Sequence, residues 1–367
     1  GSMDALAPEL VDHIIDCICC DSVDEDAMKS WGLLARKWRR RTRYHLFSRV
    51  SLNAQNLGAF INLVETSSLP ILSFVRNLEL EYHGTSLDAT LLTRLHRCPN
   101  LVRIYLHVLD PTGDGAVWIN SHALYHHLRS WNDSSGSISH LDVRLASSVE
   151  LPLRAVINLL SCVPCIQKLG IYGASRLAKD SDVYPDSSFA PSVLRHLDLE
   201  SLDGGAELLG WLLSLAALPK LKSLRFSGFV YGDDTQSIEA VEAYLRRAGD
   251  EVESLEIRVR GRWADAVHFQ RRILLYMPKL RNFVFTCPST SMLLQTLSLL
   301  PASGCLQAIH ATVHDPEDSD ILVYLDTELA KPAFRILEKF SLKSTRNIIT
   351  AQTRHLMPLA NARGILV

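Results

Sequence analysis

One short pattern, apolar-x-x-apolar-x-apolar, recurs ten times along the chain and constrains its fold more than any other feature. The copies are "VRNLEL" at 75, "LVRIYL" at 101, "ISHLDV" at 138, "IQKLGI" at 166, "LRHLDL" at 194, "LKSLRF" at 221, "VESLEI" at 252, "LRNFVF" at 280, "LQAIHA" at 306 and "LEKFSL" at 337. Nine gaps cover 262 residues, about 29 each, a period that belongs to stacked repeats. Within each copy the last two apolar residues are two apart, the alternation of a strand with one buried face. One strand per repeat cannot bury its apolar side alone, so the units must stack into a continuous core. "FSRVSL" at 47 and "ARGILV" at 362 fall at the right distances to be edge copies.

Between copies the period changes to that of helices. "LDATLLTRL" puts Leu87, Leu91, Leu92 and Leu95 on one face, and "LRAVINLL" does the same with Leu153, Val156, Leu159 and Leu160. This strand-plus-helix unit resembles a leucine-rich-repeat solenoid of the longer, helix-bearing type. That implies an α/β fold with a strand-lined inner face and a helical outer one over residues 53–367. The family's asparagine, three positions past the last apolar residue, is absent from every copy, so the repeats are degenerate and a regular hydrogen-bonded ladder is not assured. The longest gap holds an insertion at 110–137, in which "SHALYHHLRSW" is expected to be a surface helix. His122 and His126 share a face there, but no carboxylate accompanies them at helical spacing, so no metal site is expected.

Alternation places the residues flanking the buried strand positions on the inner face, where a partner would be read. The candidates are Glu79, Glu81, Tyr105, His107, His140, Asp142, Tyr172, His196, Asp198, Arg225, Arg258 and Arg260. Polar residues of mixed sign suit a protein surface. The sign drifts from Glu79 and Glu81, through Arg225, Arg258 and Arg260, to Lys339 and Lys343, so a partner is expected to turn its acidic side toward the last repeats. As exposed strand charges, Arg225 and Arg258 are expected to tolerate reversal with little loss of stability. His140 with Asp142, and His196 with Asp198, are two apart on their strands, about 7 Å, too far for a direct acid-base pair. No catalytic residue and no cofactor is expected.

Charge and cysteine usage exclude other classes. The chain sums to −2 and residues 36–49 contribute +7, which leaves −9 elsewhere. One basic helix on an acidic body argues against a nucleic-acid binder, which spreads its basic residues over a docking face. "CVPC" at 162–165 lacks the second ligand pair that a structural zinc needs. Cys17, Cys19 and Cys20 lie in an apolar helical pattern where reduced cysteine acts as a small hydrophobe. The longest apolar stretch, 208–218, is too short to span a bilayer, and no secretory pattern follows Gly1-Ser2, which reads as a cloning remnant; a cytoplasmic or nuclear location is expected.

Upstream of the repeats, after a tail at 1–5, lies a different segment. "APELVDHIIDCI" gathers Leu10, Val11, Ile14, Ile15 and Ile18 within an arc of about 140°, and "LLARKWRRRTRYHLF" returns as a helix with Leu34 and Trp38 four apart and arginines on its other side. Residues 6–52 resemble an F-box. The likeness rests on "LAPELVDHIIDCI" at 6–18, "MKSWGLLARKW" at 28–38 and "YHLFSRVSL" at 44–52, where Glu9, Leu10, Leu33, Trp38, Leu46 and Phe47 match the family pattern. Ala7 stands in place of the family's proline with Pro8 one position later, Trp31 replaces a small residue, and Ala35 replaces a cysteine. The layout is similar to that of fungal F-box proteins with C-terminal leucine-rich repeats. The resemblance implies a substrate receptor of an SCF-type ubiquitin ligase, in the ubiquitin conjugation pathway. Leu6, Pro8, Leu10, Ile14, Leu33, Leu34 and Trp38 would bind the Skp adaptor of a cullin-RING ligase, and the repeats would hold a protein substrate. The departures leave open a leucine-rich-repeat binding module whose F-box no longer recruits the adaptor.

Overall fold

In a computed structural model of the chain, the described residues are Leu10, Ile15, 36–83, 87–95, 98–109, Ile119, 121–136, 138–146, 150–173, 176–178, 190–200, 205–231, 235–261, 273–298, Leu300, 305–315, 320–344 and 355–366. They fall into two compact units, residues 1–143 and 144–367.

In the first unit a helix, α1 (Arg36–Ser48), leads into β1 (Arg49–Leu52), and β2 (Asn77–Tyr82), β3 (Arg103–Val108) and β4 (His140–Leu145) follow, the last crossing the boundary. The strands lie side by side in sequence order, with β1, β2 and β3 parallel and in register: Leu52 faces Leu80, and Leu80 faces Leu106. Three helices connect them: α2 (Leu57–Thr66), α3 (Ala89–Thr93) and α4 (His122–Ser135).

The helix α4 lies between β3 and β4, as a repeat's own helix does, and it buries Leu124, His127, Leu128 and Trp131. The expected helix is present with His122 and His126 exposed, but its other face is packed, so it is an amphipathic helix of the stack. Ser121 caps it by accepting a hydrogen bond from the Leu124 amide at 3.3 Å, and Gly136 at φ 61° ends it.

The second unit has seven parallel strands in sequence order: β6 (Lys168–Tyr172), β8 (His196–Glu200), β9 (Ser223–Tyr231), β10 (Ser254–Gly261), β11 (Asn282–Ser289), β12 (Ala308–Asp315) and β13 (Lys339–Ser344). A separate parallel pair, β5 (Glu150–Pro152) with β7 (Arg176–Ala178), accompanies them. The helices are α5 (Leu153–Cys162), α6 (Gly205–Ser214), α7 (Thr235–Ala248), α8 (Thr290–Ser298), α9 (Asp320–Leu329) and α10 (Pro358–Ala362).

Register turns the repeated pattern into rows. Leu169, Leu197, Leu224, Leu255, Phe283, Ile309 and Phe340 form one, and Ile171, Leu199, Phe226, Ile257, Phe285, Ala311 and Leu342 the next. All are buried, as is the first apolar residue of every copy from Val75 to Leu337. Each buried leucine-sized side chain contributes about 1.5–3 kcal/mol, so these rows dominate the core. All four predicted face residues of α5 are buried too.

A backbone ladder runs along the strand entrances. The Gln167 carbonyl accepts from the amides of Arg195 and His196 at 2.8 and 2.9 Å, and the carbonyls of Arg195, Lys222, Glu253, Arg281 and Gln307 repeat the bond pair to the next copy. The entrance ladder is thus regular from copy to copy. At the far end the buried Asp326 carboxylate of α9 accepts from the amides of Leu359 and Ala360 at 2.9 and 2.7 Å, which anchors α10. Phe340 of β13 makes a parallel bridge to Leu366, so the "ARGILV" copy pairs there. Among the described residues no helix is long and apolar enough to cross a membrane.

Candidate protein-binding strand face

Opposite each buried row lies a polar one, and parallel register brings residues from the same pattern position of successive copies next to each other. In the first unit Ser51, Glu79 and Tyr105 share a row, and Glu81 lies beside His107. Glu79 is only 6% exposed, yet it is well partnered: Arg49 donates to its Oε2 at 3.0 Å, and His107 Nδ1 is 3.0 Å from its Oε1. The Arg49 guanidinium also lies over the Tyr105 ring at 5.8 Å. The Ser51 hydroxyl donates to Glu81 at 2.7 Å; this bond first, and then His83 and Asn53, hold the Glu81 carboxyl below its ordinary range against the opposing effect of burial.

Ligand-type atoms of Glu79, Glu81 and His107 lie within 4.8 Å of one another. A divalent cation there would have to displace the Arg49 guanidinium from Glu79 and the Ser51 hydroxyl from Glu81. The arrangement is that of an ion-pair cluster. In the same unit Asp142 is buried, and Ser139 Oγ is 2.8 Å from His140 Nδ1.

In the second unit the row through Gly170, Asp198, Arg225, Glu256, Val284, His310 and Ser341 carries the densest charge. Tyr172 donates its hydroxyl proton to Asp198 Oδ2 at 2.9 Å, and Arg225 Nη1 reaches the same oxygen at 3.2 Å. Arg225 Nε is 3.2 Å from Glu256 Oε1, close enough for an ion pair though not aligned as a hydrogen bond, and Arg258 Nε is 2.6 Å from that oxygen. Burial pushes the Arg225 guanidinium down, but Asp198, Glu256, Glu200 and Tyr172 more than offset this and raise its pKa. Arg225 is therefore held inside an alternating ladder, and Arg258 pairs with the ladder's last carboxylate from the same strand. The expectation that Arg225 is an exposed strand charge is corrected, since register places carboxylates on both sides of it and its side chain is half-buried; Arg258 is exposed, as expected, and pairs with Glu256.

The ladder was readable from the sequence. Asp198, Arg225 and Glu256 occupy the fifth position of three consecutive copies, and reading down that column gives the acid-base-acid order.

The remaining candidates divide. Tyr172 is half-buried, with Arg144 over its ring at 5.3 Å, and His196 is exposed, its pKa lowered by burial and then by Lys168 and Lys222. Arg260 belongs to β10, but its side chain lies outside the described residues. So do Leu6, Pro8, Ile14, Leu33, Leu34 and the side chain of Trp38, together with Cys17, Cys19 and Cys20. Leu10 is described and is 54% exposed, whereas Ile15, at the other edge of the same stripe, is buried. Burial pushes the thiols of Cys98 and Cys287 up to about 12, so neither is a nucleophile at neutral pH.

No family model matches the chain, and no curated protein matches it. Among solved structures, it is similar to the leucine-rich repeat-containing protein LegL7 from Legionella pneumophila, at 14% identity over 85% of this chain and 98% of that one, with a TM-score of 0.43. The strands and buried rows themselves define the fold. They make each unit a parallel α/β stack in which one strand face is core and the other a polar surface.

Proposed function

We propose that the chain is the substrate-recognition subunit of an SCF-type cullin-RING ubiquitin ligase, whose F-box-like segment docks the Skp adaptor while the polar strand faces hold a protein substrate. The observation that carries the binding half is the polar face itself: ordered rows of tyrosine, histidine, carboxylate and arginine, with mixed sign and rigid strand support. The adaptor half rests on the F-box resemblance of residues 6–52, and the exposure of Leu10 on an apolar stripe supports it. No step of chemistry is assigned to this chain, since an adaptor subunit acts by bringing two proteins together.

A second reading, a binding module that does not recruit the adaptor, is favoured by Ala7, Trp31 and Ala35 at family positions. Capture of the purified Skp adaptor on the immobilised chain separates the two. The Leu10→Ser/Ile14→Ser variant is expected to lose capture while its thermal unfolding stays that of the parent. Failure of the parent chain to retain the adaptor selects the second reading.

A further inference from the structure

The polar faces of β12 and β13 differ from the Asp198–Arg225–Glu256 row. Lys339 and Lys343 are both exposed on β13, four residues apart on one face, which sets them about 13 Å from each other. Between them on the neighbouring strand is His310, in register with Ser341, while Ala308 and Thr312 pair with the two lysines. From the other side β11 contributes Asn282, Val284 and Thr286, none of them charged. Among the described residues no carboxylate lies within ion-pair distance of either lysine or of His310. On the neighbouring strands of this face the arginines have partners: Arg225 with Asp198 and Glu256, Arg258 with Glu256.

We propose that the β12–β13 face binds a short acidic peptide segment of the partner protein, lying extended across Lys339, His310 and Lys343. The inference rests on the protein-binding reading above and gives it a chemistry. The lysine separation equals about four residues of extended chain, so two carboxylate side chains on one edge of such a segment reach both ammonium groups. The Thr312 hydroxyl lies beside Lys343 and can donate to the peptide backbone or to a carboxylate. A long polyanion fits badly, because continuing along the same face it meets Glu256, Asp198 and Glu200. His310 adds an internal reporter. Its pKa is lowered by burial and then by Lys339 and Lys343, the only charged groups facing it from β11 or β13, and a bound carboxylate would counter the lysines and raise it.

The test uses the full chain and a fluorescein-labelled peptide of alternating glutamate and serine, six residues long, followed by anisotropy and by NMR titration of His310. The acidic peptide is expected to bind, to weaken about tenfold in the Lys339→Glu/Lys343→Glu variant, and to raise the His310 pKa. The equivalent lysine-serine peptide is expected to do neither, and Lys279→Glu, in a turn outside the strands where Lys279 pairs with Glu251, is expected to leave binding in place. Equal binding of both peptides, unchanged affinity in the double variant, or tighter binding of a single-stranded oligonucleotide of the same charge overturns the proposal. Adaptor capture is measured on the same preparation. Loss of peptide binding with capture intact sinks this inference alone, and peptide binding without capture sinks the adaptor reading alone.

Discussion

The strand face around β8–β10 and the one around β12–β13 are built by the same repeat, on the same side of the same parallel stack, yet they handle charge in opposite ways. Arg225 is matched by carboxylates on the strands to either side and Arg258 by Glu256 on its own strand; around His310 two lysines flank a histidine with no acid among the described residues. The difference teaches that cations counted along a sequence are not the charge a partner meets. The counterions of Arg225 sit one repeat away on either side, so only column-by-column reading shows that its charge is already spent.

The sharpest way to break the ladder is at its edge. Gly173 follows Tyr172 at φ 75°, and a Cβ there would fall 2.2 Å from the Leu145 carbonyl oxygen, so the backbone must shift. Gly173→Ala is expected to cost about 3 kcal/mol in urea unfolding, from left-handed strain plus the clash. Arg225→Glu comes next: it replaces the central cation by a third carboxylate in one row, and because the site is partly open to solvent the loss is expected near 2 kcal/mol. The same reversal at Lys339 and Lys343 is expected to stay within about 0.5 kcal/mol. Equal costs in the two places would erase the distinction drawn here.

Tyr172→Phe removes one hydrogen bond to Asp198 and is expected to cost about 1 kcal/mol. The smallest effect is a titration. Lys339→Gln/Lys343→Gln is expected to move the His310 pKa upward toward that of an ordinary histidine and to leave His196 where it is, read by NMR. For both histidines the folded pKa lies below the unfolded one. Their contribution is therefore complete above about pH 6.5 and is lost as pH falls from there through the folded values, so stability should decline on mild acidification.

The strands, the buried rows and the α5 face were legible in the sequence because period two inside a repeat and about 29 between repeats are both set by apolar residues, which water sorts without reference to detail. The role of α4 was not legible. Its histidines and the Gly, Asp and Ser clusters around it looked like an excursion, whereas Leu124, Leu128 and Trp131 carry the packing and His127 lies stacked on Trp131 with ring centroids 5.9 Å apart. The candidate face was half legible. Alternation named its residues, but it is silent on side-chain reach, and reach decides that Glu79 takes Arg49 from one strand and His107 from another. The F-box reading rests on residues outside the described ones, apart from Leu10, Ile15 and the helix and strand from Arg36 to Leu52.

The paired bonds at the strand entrances have a consequence for descent. They join one repeat to the next through carbonyl and amide groups that nearly every amino acid carries, so the joint does not record which residue makes it. Lineages of such a chain can exchange Arg195, Lys222, Glu253 or Gln307 freely, and a whole repeat can be copied in with its joints intact. The substitution that drift must avoid is proline at the donor positions, such as His196, Ser223 or Lys339, where the lost amide would open the seam. Resemblance between relatives should therefore fade fastest at these entrances and persist longest in the apolar columns beside them.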